Sequence, residues 1–216
     1  SLGDRVFYGS TALRKIRVAD GNSVYMVKNS ALYNADGTSL IYYPSGLAGE
    51  YTVDSSTKSI GTAAFAYSRS NEVVLNDGLV SIGEEGFAYS RIGKIEFPES
   101  LTSIGKMICM NCTRLESVVF PENGKLEEIS SYAFSGTNGL EDVFIPRCIS
   151  TLNECAFYGS GLNSVEFSDN INLSNIGEYA FAYTDIRKIF IPDSVKHISS
   201  GAFFSNGSLV SVMFGD

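Results

Sequence analysis

The chain has 216 residues, of which 44% are hydrophobic and 19% charged, with a formal net charge of −8 and a pI near 4.7. This is the composition of a folded protein, and the negative charge argues against nucleic acid as a partner, because that affinity rests on clustered Lys and Arg. No apolar run approaches the roughly 18 residues that a membrane helix needs, so we expect no membrane insertion in this segment. We interpret the scattered Asp and Glu residues as a solubility device, with a field that attracts a ligand as the alternative.

One frame, Ile-Gly-x-x-Ala-Phe, recurs along the chain, so that an aliphatic anchor is followed five positions later by an aromatic residue. Only Cys109 departs from the aromatic type. From Ile60 onward the anchors are 22, 22, 25, 23, 24 and 22 residues apart, which is the spacing of leucine-rich coils and not of helical-pair repeats. The frame predicts a solenoid whose coils share one core. The eight pairs are Leu2/Phe7, Ile60/Phe65, Ile82/Phe87, Ile104/Cys109, Ile129/Phe134, Leu152/Phe157, Ile176/Phe181 and Ile198/Phe203.

An insertion at about 19–59 interrupts the frame between the first two of these copies. Asp36-Gly37 lies between two β-prone, aromatic-rich segments and predicts a hairpin, so we expect a small antiparallel excursion. The loop around it lacks the later acidic ligands of a calcium loop. The tyrosines of the insertion either pack it against the next coil or form an exposed patch. They are Tyr25, Tyr33, Tyr42 and Tyr43.

A second apolar cluster follows each anchor pair. The cluster begins with Leu or Ile, followed by two variable residues. Two apolar residues with one variable residue between them come next, often followed by Pro, as in the stretch from Leu140 to Pro146. This alternation predicts a short strand with both apolar side chains on one face, and the proline closes the strand. Stacked at about 4.8 Å, the strands would pair into one parallel sheet. We therefore expect 1–216 to be a single domain of about eight coils, and because neither end has a polar cap, a fragment of a longer protein.

No catalytic, cofactor or metal site is predicted. Cys109 and Cys112 have the spacing of half a zinc site, but one fills the aromatic column and the other a slot that holds small polar residues in the other coils. A disulfide between Cys148 and Cys155 is left open. His197, the only histidine, precedes an anchor in a slot that we expect to be solvated, and nothing brings a nucleophile and an acid to it.

The candidate binding face is the side of the strands that points away from the core. Its apolar residues have charged residues around them, which is the pattern of a protein-binding surface. The alternative is that these residues are present only because β-prone residues are favoured on any sheet face. In the first copy the equivalent positions are Lys15 and Arg17. The candidate residues between the two buried positions are Val74, Glu96, Val119, Phe144, Glu166, Phe190 and Met213, and those of the preceding column are Lys94, Asp142 and Lys188.

These motifs resemble the BspA-like, treponemal type of leucine-rich repeat. The resemblance is carried by the copies at 82–87 and 176–181, by the Leu-x-x-Val-x-Ile-Pro run at 140–146 and by the hairpin sequence at 32–38. It implies a repeat solenoid, a right-handed coil with a short parallel β-sheet on the concave face, a mostly irregular or short helical or β convex side, and a β-hairpin insertion. It also implies a bacterial cell-surface or secreted protein, with adhesion to host matrix proteins or other cells in some members.

We therefore expect a non-enzymatic, extracellular or cell-surface module that binds a protein partner, either a host matrix or a cell-surface protein, without a cofactor. Two alternatives stay open from the sequence. The chain has twelve tyrosines, which leaves polysaccharide binding open, although it has no Trp to form a large aromatic platform. A structural stalk that displays another domain is the third class. The ligand and the oligomeric state are not fixed by the sequence.

Overall fold

The computed structural model describes residues 2–215, which form short β-strands joined by turns, without a helix in that range. A hairpin comes first. Two series of strands then alternate along the chain, and we call them the anchor ladder and the face ladder. The hairpin consists of β1 (Tyr25–Lys28) and β2 (Ala31–Asn34). The anchor ladder consists of β3 (Ser39–Tyr42), β5 (Ser59–Ile60), β7 (Ser81–Ile82), β9 (Ser103–Ile104), β11 (Glu128–Ile129), β13 (Thr151–Leu152), β15 (Asn175–Ile176) and β17 (His197–Ile198). The face ladder consists of β4 (Ala48–Thr52), β6 (Arg69–Val74), β8 (Lys94–Glu96), β10 (Ser117–Val119), β12 (Asp142–Ile145), β14 (Ser164–Phe167), β16 (Lys188–Ile191) and β18 (Ser211–Phe214).

Both ladders are parallel, which confirms the predicted solenoid. In the anchor ladder each anchor pairs with the anchor of the next coil, as Ile60 does with Ile82. The hydrogen-bonded stretches are β3-β5-β7-β9 and β11-β13-β15-β17. The face ladder is hydrogen bonded in three stretches, β4-β6-β8-β10, β12-β14 and β16-β18. The breaks follow the longer intervals of 25 residues after Ile104 and 24 after Leu152.

The core contains the predicted column of aromatic rings. The rings of Phe157 and Phe181 stack with their centroids 5.5 Å apart and their planes within 3°. Cys109 is fully buried in the same column, and beside this smaller residue the ring of Phe120 meets Phe134 edge to face at 6.0 Å. The coil that lacks a column ring thus contributes an aromatic residue from the end of its face strand.

A turn connects each anchor to its aromatic residue and adds a third set of contacts between coils. In one coil the backbone N–H groups of Glu85, Phe87 and Tyr89 donate to carbonyls of the next coil over 2.8–2.9 Å. Glu85 and Tyr89 have φ of 55° and 59°, which costs about 1 kcal/mol for a residue with a side chain. A backbone hydrogen bond contributes about as much, so the bonds between coils offset the strained conformations. Close approach also explains a glycine, because a Cβ on Gly83 would lie 2.7 Å from the backbone nitrogen of Thr62.

The small polar slot at the end of this turn satisfies backbone carbonyls. The hydroxyl of Thr137 donates to the carbonyl of Phe134 at 2.7 Å, and the Cys112 thiol donates to the carbonyl of Phe87 at 3.0 Å. Both side chains are fully buried. Cys112 is therefore a bend residue, as its register predicted.

The predicted insertion is shorter than expected, because its second half is a coil. Asp36-Gly37 does join antiparallel strands β2 and β3, but β3 then pairs parallel with β5, and β4 pairs parallel with β6. Leu40 serves as the anchor of this coil. The ring of Tyr43 stacks on Phe65 at 5.1 Å, in the aromatic column, although it follows its anchor by three residues and not five.

The first copy, in contrast, is not a regular coil. Leu2 is 38% exposed, and residues 2–24 contain no strand, so Lys15 and Arg17 do not join the face ladder. The segment instead reaches across the shortened turn after Leu40. The Arg5 guanidinium contacts the carboxylates of Glu84 and Glu85 at 3.2 and 3.3 Å.

One ion pair connects the hairpin to the coils. The Lys28 ammonium lies 2.7 Å from the carboxylate of Asp54, which also accepts hydrogen bonds from the hydroxyl and the N–H of Ser56 at 2.6 and 2.9 Å. The Lys28 bond, followed by the Ser56 bonds, lowers the pKa of Asp54 to about 2.

We predict that the core column carries much of the stability. Replacing Phe134, which is fully buried, with alanine should lower the free energy of unfolding by about 3–5 kcal/mol, because stacked coils cannot collapse into the cavity. Phe144→Ala, in the same coil but 41% exposed, is the matched control and should cost about 1 kcal/mol or less. Urea denaturation measures both. Equal losses would contradict the assignment of the two faces.

We also predict that acid loosens the hairpin before the coils. The pKa of Asp54 is lower in the folded chain than the ordinary value of about 4, so its contribution is present above that value and is lost as the pH falls towards about 2. Amide exchange in β1 and β2 should therefore accelerate over this range in the wild type. Asp54→Asn should show fast exchange already at neutral pH and little further change. Identical pH profiles for the two proteins would rule out the ion pair as the cause.

Candidate functional site

The face ladder exposes a row of apolar side chains. Val74, Val119, Phe144, Phe190 and Met213 are 40–62% exposed, and we call them the apolar strip. In the interior coils their neighbours along the strands point into the core, as Val143 and Ile145 do beside Phe144, whereas in the last strand Val212 and Phe214 beside Met213 are exposed as well. The strands thus place the outward residues where the period of two predicted. Phe190 pairs in register with Met213.

The charged members of the predicted face are exposed as well. Glu96 lies between Val74 and Val119 in the same row, and Glu166 is the register partner of Phe144. Lys94 and Glu96 form an ion pair within β8. Asp142 and Lys188 occupy the preceding column, each opposite a serine of the neighbouring strand. In place of Lys15 and Arg17 the structure adds Glu50 and Thr52 of β4, which the sequence interpretation missed.

Acidic residues form a second row that the sequence interpretation did not find. In five coils the residue three positions after the outward one is Asp or Glu, lies in the turn that ends the strand and is exposed. The scattered carboxylates of the sequence are therefore partly ordered into one edge beside the apolar strip. In this row Arg147 is the basic exception, and its guanidinium donates to the side chain of Asn123 at 2.6 Å. The acidic edge consists of Asp77, Glu99, Glu122, Asp169 and Asp193.

A groove of about 680 Å³ lies where the strip meets this edge, next to β14 and β16. Glu166 and Phe190 of the strip row line it, together with Asp169 and Asp193 of the acidic edge. Its other walls include the buried residues Val165, Ile171 and Pro192. The groove combines apolar walls with carboxylates on one side of the molecule.

The tyrosines outside the insertion lie on the turns, not on the strip. The rings of Tyr67 and Tyr89 stack on each other at 4.8 Å with their planes within 6°. Tyr183, 48% exposed, meets Tyr158 edge to face at 5.1 Å. The stacked pair covers part of its ring faces, which leaves less of them for a flat ligand such as a sugar.

The cysteines and the histidine lie apart from this face. Burial raises the pKa of the Cys109 thiol well above its ordinary value, so the group is protonated at neutral pH. Cys148 and Cys155 are free thiols, and burial raises the pKa of both. His197 is exposed in β17 opposite Asn175. Residues 2–215 contain no group of His, Cys, Asp and Glu that could hold a metal ion, and no helix in that range could cross a membrane.

Comparison with solved structures gives the same architecture. A leucine-rich repeat protein from Eubacterium ventriosum is 27% identical and superposes with a TM-score of 0.82, over 94% of this chain and 56% of that one. One from Bacteroides ovatus is 21% identical, with a TM-score of 0.61 over 89% of this chain and 62% of that one. The pneumococcal vaccine antigen PcpA is 16% identical, with a TM-score of 0.60 over 90% of this chain and 82% of that one. The last two show the fold alone, and the chain spans less than two thirds of the first two proteins.

Sequence comparison identifies the family. No curated protein is significantly similar in sequence to the chain. The family model described as the BspA type leucine-rich repeat region matches residues 41–160 and 127–216. These matches cover most of the chain and include the coil of Leu40 and Tyr43 that the anchor pairs did not reveal. The chain therefore belongs to the BspA type of leucine-rich repeat proteins, as its motifs predicted.

Proposed function

We propose that the chain is a non-enzymatic recognition module of a bacterial cell-surface or secreted protein, and that it binds a protein partner through the apolar strip. The observation that carries this proposal is the exposure of Phe144, Phe190 and Met213 in one row of the face ladder, on β12, β16 and β18. Exposed apolar side chains with a charged border are typical of protein-binding faces. Solvent exposure of the two phenylalanines has no benefit for the fold itself, because the inward side chains of their strands supply the burial.

The repeated backbone makes the strip suitable for a large partner. Parallel strands stand about 4.8 Å apart, so the outward side chains from β6 to β18 extend over about 30 Å. Two aromatic residues near one end of this row, Phe144 and Phe190, are of the type that dominates binding energy in interfaces. The charged residues Lys94, Asp142 and Lys188 on the adjoining column provide the polar rim. A host matrix protein or another cell-surface protein is the partner class that we infer from the family.

We predict that the Phe144→Ser, Phe190→Ser double variant loses partner binding without loss of the fold. Against a panel of purified matrix proteins, affinity for the partner should fall at least about 30-fold, the effect of removing two aromatic anchors of about 1 kcal/mol or more each. The thermal midpoint should fall by no more than a few degrees, about 1 kcal/mol in this size range. Phe204→Ser is the matched control, since Phe204 is 50% exposed but lies on a turn, and it should keep wild-type affinity.

The same experiment separates the alternatives. Retained binding in the double variant would refute the strip as the binding face. Binding to a glycan array but not to the protein panel would favour the polysaccharide class. No binding in either assay would favour a structural stalk.

A further inference from the structure

The groove lies at one of the two breaks in the face ladder, between β14 and β16. β14 and β16 are sequence neighbours in the ladder but are not hydrogen bonded to each other, while the anchor strands of the same two coils, β13 and β15, are paired. The return segment of the first coil is longer. Nine positions separate Phe167 from the anchor Ile176, whereas seven separate Ile191 from Ile198. The extra residues lie at 168–173 and widen the gap between the two strand ends, where the groove is found.

Glu166, Asp169 and Asp193 line this groove, and its lining includes no Lys or Arg. Among residues 2–215 none of the three forms an ion pair. The nearest basic residue of the acidic edge is Arg147, which is directed to Asn123 in the opposite direction along the chain of coils. The carboxylates of Glu166 and Asp169 are thus available to a positive group from outside the molecule, whereas that of Asp193 lies against Gly215 of the next coil.

The other residues that line the groove limit which positive group can bind there. Val165, Ile171 and Pro192 present apolar surface, and Phe190, 47% exposed, presents an aromatic ring. A metal ion gains nothing from such walls, and the carboxylates do not form a set that could hold one. The side chains of Arg and Lys fit both the apolar residues and the carboxylates of the groove. Their aliphatic stems cover apolar surface while the charged head reaches carboxylates or an aromatic face.

The groove is also continuous with the apolar strip. Glu166 is the register partner of Phe144, and Phe190 that of Met213, so the groove interrupts the row of outward side chains between two of its apolar members. A single segment of a partner that crosses the strip would place a side chain at the groove and apolar side chains on either side of it. The acidic edge runs parallel to this path and disfavours an acidic segment.

We infer that the groove between β14 and β16 binds an Arg or Lys side chain of the protein partner, flanked by apolar side chains that lie on Phe144 and Met213. This inference rests on the proposed function and specifies the partner's chemistry, a basic and apolar segment of a protein. Arg is the better fit, because its planar guanidinium both pairs with carboxylates and stacks on an aromatic ring.

The test uses three short peptides of one design and the isotope-labelled protein. The probes are acetylated, amidated Leu-Arg-Leu-Arg-Leu, the same peptide with citrulline for Arg, and the same peptide with Glu for Arg. Citrulline keeps the shape of Arg and removes its charge. In NMR titrations the Arg peptide should shift amides of β14, β16 and the turns at Asp169 and Asp193. The citrulline peptide should bind about fivefold more weakly, and the Glu peptide more weakly still.

Matched variants locate the effect. Asp169→Asn with Asp193→Asn should weaken the Arg peptide about fivefold and leave the citrulline peptide unchanged. Asp77→Asn with Glu99→Gln removes the same charge from the same edge away from the groove, and should change the affinity less than about twofold. Raising the ionic strength from about 0.05 to 0.5 M should remove most of the difference between the wild type and the groove variant.

Equal affinity of the Arg and citrulline peptides, or no effect of the groove variant, would overturn the inference. If those peptides still shift amides around Phe144 and Phe190, the proposed function stands without it. No shift at the groove with any peptide also overturns the inference, whatever the matrix-protein panel shows. The proposed function is judged by that panel and by the Phe144→Ser, Phe190→Ser variant, so the two failures are distinguishable.

Discussion

The hydrogen bonds between coils are the constraint on which the rest of the molecule depends. From the coil of Leu40 onward each coil is bound to the next along the turn and, in most coils, also at the anchor and along the face strand. These attachments fix the register, so a residue at a given position has similar surroundings in the interior coils. This is why Cys109 is as buried as the phenylalanines of its column, and why Tyr43 enters that column despite its shorter turn. The N–H of Tyr43 still donates to the next coil, at 2.9 Å from the carbonyl of Ala64.

The regular part of the fold could be predicted because its anchors recur at nearly constant intervals in the sequence. Anchors and aromatic residues at constant spacing identified the core column from Ile60 to Phe181, and the alternation in each strand identified the outward residues. The departures came from changes of length. The coil of Leu40 lacks two residues of the turn and was assigned to the insertion, while Leu2 and Phe7 match the frame but have only a shortened turn beneath them.

The candidate site could be predicted only in part, for a related reason. The apolar strip follows from the period of two within a strand, which is visible in one coil. The acidic edge appears only when turns of different coils are aligned in register, and intervals of 22–25 residues between anchors made Asp77, Glu99 and Asp193 look scattered. The groove depends on which strands remain hydrogen bonded, a property of the whole stack. No local pattern around Asp169 contains that information.

The inward face of the strands carries stability and the outward face the proposed recognition, and this separation has consequences for how such a surface can vary. Inward residues such as Val143 are shared by two coils, so a substitution there is felt along the stack. Outward residues contact mainly their strand neighbours, and the row already contains Val, Glu, Phe and Met on one backbone. The outward row can therefore change its chemistry coil by coil without a change in the fold. Where a longer return segment opens the ladder, as it does after Phe167, the same scaffold gains a groove in addition to a surface, and this groove is where we infer that one kind of side chain binds.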